Sequence, residues 1–256
     1  MRALVLDFDG VIADTAPECF EVALRTYADL VPQASLGRFE RAELYRGFLA
    51  LMPLGNRAED FGVALAALDA GVALADQATY DAFHAARPES WLPAFHRRFY
   101  EHRAEFARTD PRGWRALMAP YRDFLVVLRR NQARAQLAIA TAKDRASVCA
   151  LLVDWGVRDL FPDERIVDKE IGVSKVTHLR HLQSVLGLPF GELTFVDDKV
   201  NHLDSVSPLG VRCGLAAWGY NGPRERASAR ARGYLVCNLG DAEGLLFGPA
   251  SSPVVG

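Results

Sequence analysis

Two carboxylates separated by one residue, Asp7 and Asp9, follow directly on the apolar run Ala3-Leu4-Val5-Leu6 and lead at once into Gly10. Residues i and i+2 of an extended chain share a face, so both acids can point the same way from a strand's carboxyl end. Carboxylates so close resist joint ionisation unless a cation answers them. A hard divalent cation with oxygen ligands, Mg2+ first, suits such a pair. Three further features fit the same chemistry. Thr141 ends the apolar run Gln136–Ala140. Lys175 opens a helical stretch that runs to Leu186. Asp197 and Asp198 end the run Leu193–Val196. Each alone has a plain structural explanation: a polar strand end, a turn cap, a surface lysine (although a cation at a helix start opposes the dipole) or a helix N-cap. Together, at the carboxyl edge of a parallel sheet, they can converge. Carboxylates holding Mg2+, one lysine and a hydroxyl on phosphate oxygens, and an aspartate as nucleophile make a site for phosphoryl transfer.

The elements that must position these groups follow from the apolar pattern. Strands are expected at 3–6, 136–141, 165–167, 193–196, 211–217 and 233–237. Helices are expected at 121–130, 146–155 and 175–186, the last two stopped by Gly156 and Gly187. This alternation predicts an α/β fold, a Rossmann-like parallel sheet with right-handed crossovers. Between Ala16 and Pro111 no convincing strand is present. The stretch is rich in Ala, Leu, Phe and Arg, with breaks at Pro32, Pro53-Leu54-Gly55, Gly71, Pro88 and Pro93. It reads as an all-helical insertion of four or five helices. The expected domains are therefore a core of residues 1–15 and 112–248, a helical cap of residues 16–111, and a loose tail at 249–256. Within the insertion Trp91, Phe95, Phe99 and Tyr100 are expected as core.

Composition is that of a globular protein: 256 residues, 50% hydrophobic, 24% charged, with a formal net charge of −2. That balance gives no global field for nucleic acid or a membrane surface. No apolar run is long enough to span a bilayer, and the start lacks a charged region followed by an apolar one, so a cytoplasmic protein is expected. Its four cysteines lie far apart without metal-like spacing and are expected to be buried, reduced thiols. The basic run from Arg224 to Arg232 reads as a solvated helix face. The oligomeric expectation is a monomer or homodimer.

The order Asp7-x-Asp9-Gly10-Val11, Thr141, Lys175, Asp197-Asp198 resembles the four signature motifs of the haloacid dehalogenase (HAD) superfamily, covering residues 1–15 and about 115–240. Ser174–Leu179, Phe195–Asn201 and Leu209-Gly210-Val211 resemble its magnesium-dependent phosphatase branch. The insertion resembles the helical cap of phosphoglycolate phosphatase-like members. The resemblance implies that Asp7 attacks phosphorus and ligates Mg2+. It implies that Asp9 protonates the leaving group, activates water and lends its carbonyl to the metal. Thr141 and the N–H of Ala142 would hold phosphate, and Lys175 would bridge phosphate and Asp7, with Lys169 its competitor. Asp197 and Asp198 would complete the metal site, supported by Asn201. Asp9 favours phosphate-ester chemistry over dehalogenation, because an alkoxide leaving group needs a proton.

The implied function is a Mg2+-dependent phosphatase acting on a small phosphorylated metabolite through an aspartyl-phosphate. A phosphomutase of the same superfamily and a non-catalytic binding protein on the same fold are the alternatives. Cap residues expected to meet substrate are Arg57 first, with Arg46, Asn56, His84, His96, Arg97 and Arg98. Residues 16–111 contain no lysine, which counts against a phosphonate hydrolase using a cap Schiff base.

Overall fold

The computed structural model describes residues 2–55, 57–172 and 174–248. Asn56 and the expected tail at 249–256 lie outside the described residues. The chain divides into two units, one formed by the chain through Asp14 and from Pro120 onward, the other by Thr15–Ala119.

The first unit is built on a six-stranded sheet. Its strands are β1 (Ala3–Leu6), β2 (Gln136–Ala140), β3 (Ile166–Val167), β4 (Leu193–Asp197), β5 (Arg212–Ala216) and β6 (Leu235–Cys237). Every pairing is parallel, and the order is β3-β2-β1-β4-β5-β6. All four residues of β1 are buried. That explains its unbroken apolar sequence, since a central parallel strand is covered on both faces. Val5 packs with Ala138, Phe195 and Leu215 against Leu179, Leu182 and Leu203 of the following helices. Because β1 lies between β2 and β4, the strand order reverses at its carboxyl end, where ligands bind in open α/β sheets.

The helix Lys175–Leu186 has the expected bounds. It buries Leu179, Leu182 and Leu186, and ends at Gly187 in the left-handed conformation (φ 63°), a terminus that favours glycine. The basic run forms the helix Pro223–Ala231. Cys19, Cys213 and Cys237 are buried free thiols, whereas Cys149 is only half-buried. Among the described residues no helix is long and apolar enough to cross a membrane.

The second unit is helical: Ala16–Leu30, Arg41–Leu51, Ala58–Ala70, Gln77–Ala85, Trp91–Thr109 and Pro111–Ala116. Phe20, Phe48, Phe61 and Phe99 run through it as successive ring contacts of 5.3, 5.6 and 5.7 Å. Gly62 lets the helix Ala58–Ala70 approach the ring of Phe95, whose nearest carbon would lie 2.6 Å from an added Cβ. Two expectations need correction. Tyr100 is 42% exposed rather than core, because Phe95, Phe99 and Phe106 occupy the buried stripe of its helix. The insertion extends to Ala119 rather than ending at Pro111. Pro111 starts a helix there instead of breaking one: Asp110 caps it by accepting from the Gly113 N–H at 2.9 Å.

That last helix is tied to the first through Glu18. The Glu18 carboxylate is fully buried. It accepts from Arg103 Nε at 2.8 Å, Arg103 Nη2 at 2.7 Å and the Trp114 indole N–H at 3.0 Å. Removing one partner of such a pair leaves a buried charge unanswered, at a cost of about 3 kcal/mol. Glu18→Ala is therefore expected to lower unfolding stability by about that amount in urea denaturation, well beyond the effect of an exposed ion pair.

Candidate active site

At the end of β1 the backbone remains in register for one more residue, with the Asp7 N–H donating to Val196 O at 2.9 Å. The chain then closes a tight loop in which Phe8 O accepts from the N–H groups of Val11, Ile12 and Ala13. Gly10 stands in this loop at φ 76°. An added Cβ would lie 2.5 Å from Asp198 Oδ2, so both backbone and space demand glycine.

Lys175 reaches this point from the first turn of its helix and is buried. Its Nζ lies 2.7 Å from Asp7 Oδ1 and 3.4 Å from Asp197 Oδ2, and donates to Ala140 O at 2.8 Å. The expected competitor, Lys169, is exposed. Burial by itself would pull the Lys175 pKa down; Asp7 and Asp197 outweigh it and hold the ammonium charged. Asp7 Oδ1 also accepts from the Phe8 N–H at 2.8 Å, so both named donors go to one oxygen.

The buried acids carry more negative charge than Lys175 can answer. Asp197, fully buried, accepts from Lys199 N–H at 2.9 Å and faces His202 Nδ1 at 3.0 and 3.1 Å from its two oxygens. Desolvation works against its charge, but His202 and Lys175 hold its pKa below the ordinary carboxylate range. The same contact raises the His202 pKa despite burial. Asp7 has less help: desolvation, reinforced by Asp197, pushes it up to about 7 against the pull of Lys175. Asp198 is pushed up to about 6, again chiefly by burial.

Asp7, Asp197 and His202 each offer a ligand atom, all within 4.8 Å of one another. This donor set fits a divalent cation, which would supply the positive charge that the buried carboxylates lack. It differs from the set expected from sequence. Asp198 Oδ2 accepts from the Tyr220 N–H at 2.7 Å, and its carboxyl fills the space beside Gly10 and Gly219. These contacts join the loops, and the three-group cluster is formed without it. Asn201 is exposed, and the next residue, His202, is the one that reaches Asp197.

Asp9 is half-buried and turns to a second lysine, Lys143, whose Nζ stands 3.2 Å from Asp9 Oδ1 in an ion pair outside hydrogen-bond geometry. The Lys143 side chain is 1% exposed. Its backbone N–H donates to Thr141 Oγ1 at 3.1 Å, while Thr141 itself is held by its N–H to Val167 O at 2.9 Å. Ala142, between them, is exposed. Sequence reasoning missed both Lys143 and His202. Their signals were there: Lys143 lies two residues beyond Thr141, and His202 one helical turn beyond the acidic pair.

Arg57, His84, His96, Arg97 and Arg98, expected to meet substrate, pair with acids of their own unit. Arg57 is 77% exposed at the start of Ala58–Ala70, its N–H donating to Asp60 Oδ2 at 2.9 Å. His96, Arg98 and His84 stand 2.7, 2.6 and 3.7 Å from Glu59, Asp29 and Asp60 respectively. Arg97 pairs with Glu101 at 3.8 Å, one turn along the same helix.

Comparison with solved structures decides the fold. The chain superposes with a TM-score of 0.71 on a candidate phosphoglycolate phosphatase from Lactobacillus delbrueckii subsp. bulgaricus, at 14% identity over 97% of this chain and 99% of that one. It superposes with a TM-score of 0.67 on a haloacid dehalogenase-like hydrolase from Streptococcus pneumoniae, at 12% identity over 96% and 98%. The chain has the haloacid dehalogenase fold. A HAD family hydrolase from Deinococcus radiodurans, solved with bound phosphate and sodium, shares this fold at a TM-score of 0.59, with 17% identity over 98% and 99% of the two chains. In sequence, a stretch of 40 residues is 45% identical to human magnesium-dependent phosphatase 1, covering 16% of this chain and 23% of that protein. No family model matches the sequence.

The raised pKa of Asp7 has a measurable consequence. Between the unfolded value of 3.8 and about 7 the folded state holds a proton that the unfolded state has lost. Stability from this group is thus full below the lower value and is lost as pH rises through the upper one. Asp7→Asn cannot titrate. In EDTA, its Tm is expected to gain about 5 °C on wild type between about pH 4.5 and about pH 8, with no further gain above. A pH-independent difference in thermal denaturation would contradict the burial argument.

Proposed function

We propose that this chain is a metal-dependent phosphatase that hydrolyses a small phosphorylated metabolite through an aspartyl-phosphate on Asp7. The observation that carries the reading is the 2.7 Å contact between Asp7 and Lys175 at the carboxyl end of the central strand, with Asp9 two residues further on. Phosphate bound in the Deinococcus structure of the same fold supports it. So does the short match to magnesium-dependent phosphatase 1.

Asp7 and Asp197 would hold the cation, Mg2+ in the first instance, and when bound it supplies charge against phosphate oxygens and lowers the Asp7 pKa. Lys175 keeps Asp7 oriented and presents its ammonium to the transferring group. Because both named donors of Asp7 go to Oδ1, Oδ2 is the nucleophilic or metal-facing atom. Attack forms the Asp7 oxygen–phosphorus bond and breaks the bond to the ester oxygen, which takes a proton from Asp9. Water then attacks phosphorus, gives its proton to Asp9, and frees phosphate and the Asp7 carboxylate. Lys143, beside Asp9, fixes the position of that acid. The Thr141 hydroxyl, its oxygen already accepting from Lys143 N–H, has its proton to donate to a phosphate oxygen.

The test is hydrolysis of p-nitrophenyl phosphate with Mg2+. EDTA and Asp7→Asn are each expected to lower turnover about a thousandfold or more. Asp9→Asn should cost more on an alkyl phosphate than on the nitrophenyl ester, by about a hundredfold, because nitrophenolate leaves without a proton. Turnover that survived Asp7→Asn would exclude the aspartyl nucleophile. Equal losses on the two esters would exclude Asp9 as the acid.

A further inference from the structure

His202 belongs to the cluster but to none of the roles above. It sits on the short helix Val200–Val206, and its side chain is 29% exposed, so one edge faces the site and another solvent. Its Nδ1 stands 3.0 Å from Asp197 Oδ1 and 3.1 Å from Asp197 Oδ2. One N–H shared between two oxygens is a poorer hydrogen bond than one aimed along a single lone pair. The same spacing is natural for a shared ion. Metal–oxygen bonds of about 2.1 Å at right angles put neighbouring ligand atoms about 3.0 Å apart. The ligand atoms of Asp7, Asp197 and His202 all fall within 4.8 Å of one another, against about 4.2 Å for two ligands on opposite sides of such an ion, so side-chain rotations of well under an ångström close the set around one ion. His178 is the contrast: it is buried, and its Nε2 meets the Gly172 carbonyl instead of a carboxylate.

We propose that His202 Nδ1 is a direct ligand of the metal in this site, making a centre of two carboxylates and one imidazole that favours Mn2+ or Co2+ over Mg2+. The inference rests on the metal-dependent reading above. Imidazole suits borderline transition ions, whereas an all-oxygen set suits Mg2+. The site therefore selects its ion by a residue outside both acidic pairs. Loss of the nitrogen should be felt by the softer ions and hardly by Mg2+.

The experiment is pulsed electron paramagnetic resonance of the full chain loaded with Mn2+. The expected result is modulation from a directly bound nitrogen, which changes to the 15N pattern when the protein is made with 15N-histidine and disappears in His202→Gln. Calorimetric titration should show the variant losing about tenfold or more in Co2+ affinity and less than about threefold for Mg2+. Affinity alone does not separate a ligand from a residue that only orients Asp197, since outer partners also cost about tenfold or more. The nitrogen coupling does separate them. Mn2+ bound without a coordinated nitrogen overturns the assignment and leaves the carboxylate site standing. Failure to bind Mn2+ or Co2+ overturns the assignment, and failure to bind Mg2+ as well overturns the carboxylate site with it. Nitrogen coupling in a protein inert toward phosphate esters upholds the ligand and overturns the proposed reaction. Should His202→Gln fail to fold, the isotope label alone decides whether a histidine is bound. Among the described residues His202 is the histidine of the cluster.

Discussion

A buried ammonium between buried carboxylates is the constraint on which the site depends. Lys175, Asp7 and Asp197 are all withdrawn from water, and the Lys175 ammonium is kept there by the carboxyl groups that face it. Lys175 cannot lose its partners without facing its own desolvation. The acids, outnumbering it, hold an excess of negative charge that invites a further cation. The surrounding scaffold serves this balance. The parallel sheet brings β1, β2 and β4 side by side, so Ala140 O, Asp7 and Asp197 meet one lysine from a helix that leads into β4. Packing of Leu179, Leu182 and Leu186 fixes that helix, and thereby the lysine.

Much of this was legible in the sequence because apolar runs that end in polar residues announce buried parallel strands and their functional edge. Asp7, Thr141 and Asp197 are readable that way, and Lys175 from the start of its helix, each set by a local pattern. The remainder depends on where the backbone goes after the strand. Whether Asp198 faces a metal or a loop is decided by Gly219 and Tyr220, more than twenty residues later, whose folding brings a backbone N–H to its carboxylate. Lys143 and His202 enter the site through a turn and a first helical turn, geometry that no periodicity encodes. Their residue types are also common on surfaces, so closeness in sequence to Thr141 and to the acidic pair is a weak signal by itself.

The insertion shows the same division. Its helices and their aromatic core follow from a repeating apolar stripe, and the position of Phe95 and Phe99 on that stripe puts Tyr100 on the outer face. Its end was misplaced because Asp110-Pro111 signals both a break and a start. The Asp110 cap starts the helix, and the partnership of Trp114 with Glu18, 96 residues away, ties it to the insertion. Long-range polar contacts thus decide boundaries that local propensity leaves open.

The separation of β1 from its neighbours bears on how the chain is made. The strand carrying Asp7 is made well before its hydrogen-bonding partners, which begin at Gln136 and Leu193. The helical unit, whose contacts close within Thr15–Ala119, can be complete before either partner exists. The strand must therefore wait, apolar and unpaired, while the whole helical unit is made. Closing so long a loop slows folding, and the waiting segment is short and ends in two acids. Four apolar residues bounded by charge make a poor template for aggregation. Asp7 and Asp9 thus also bound the strand with charge while it waits for its partners.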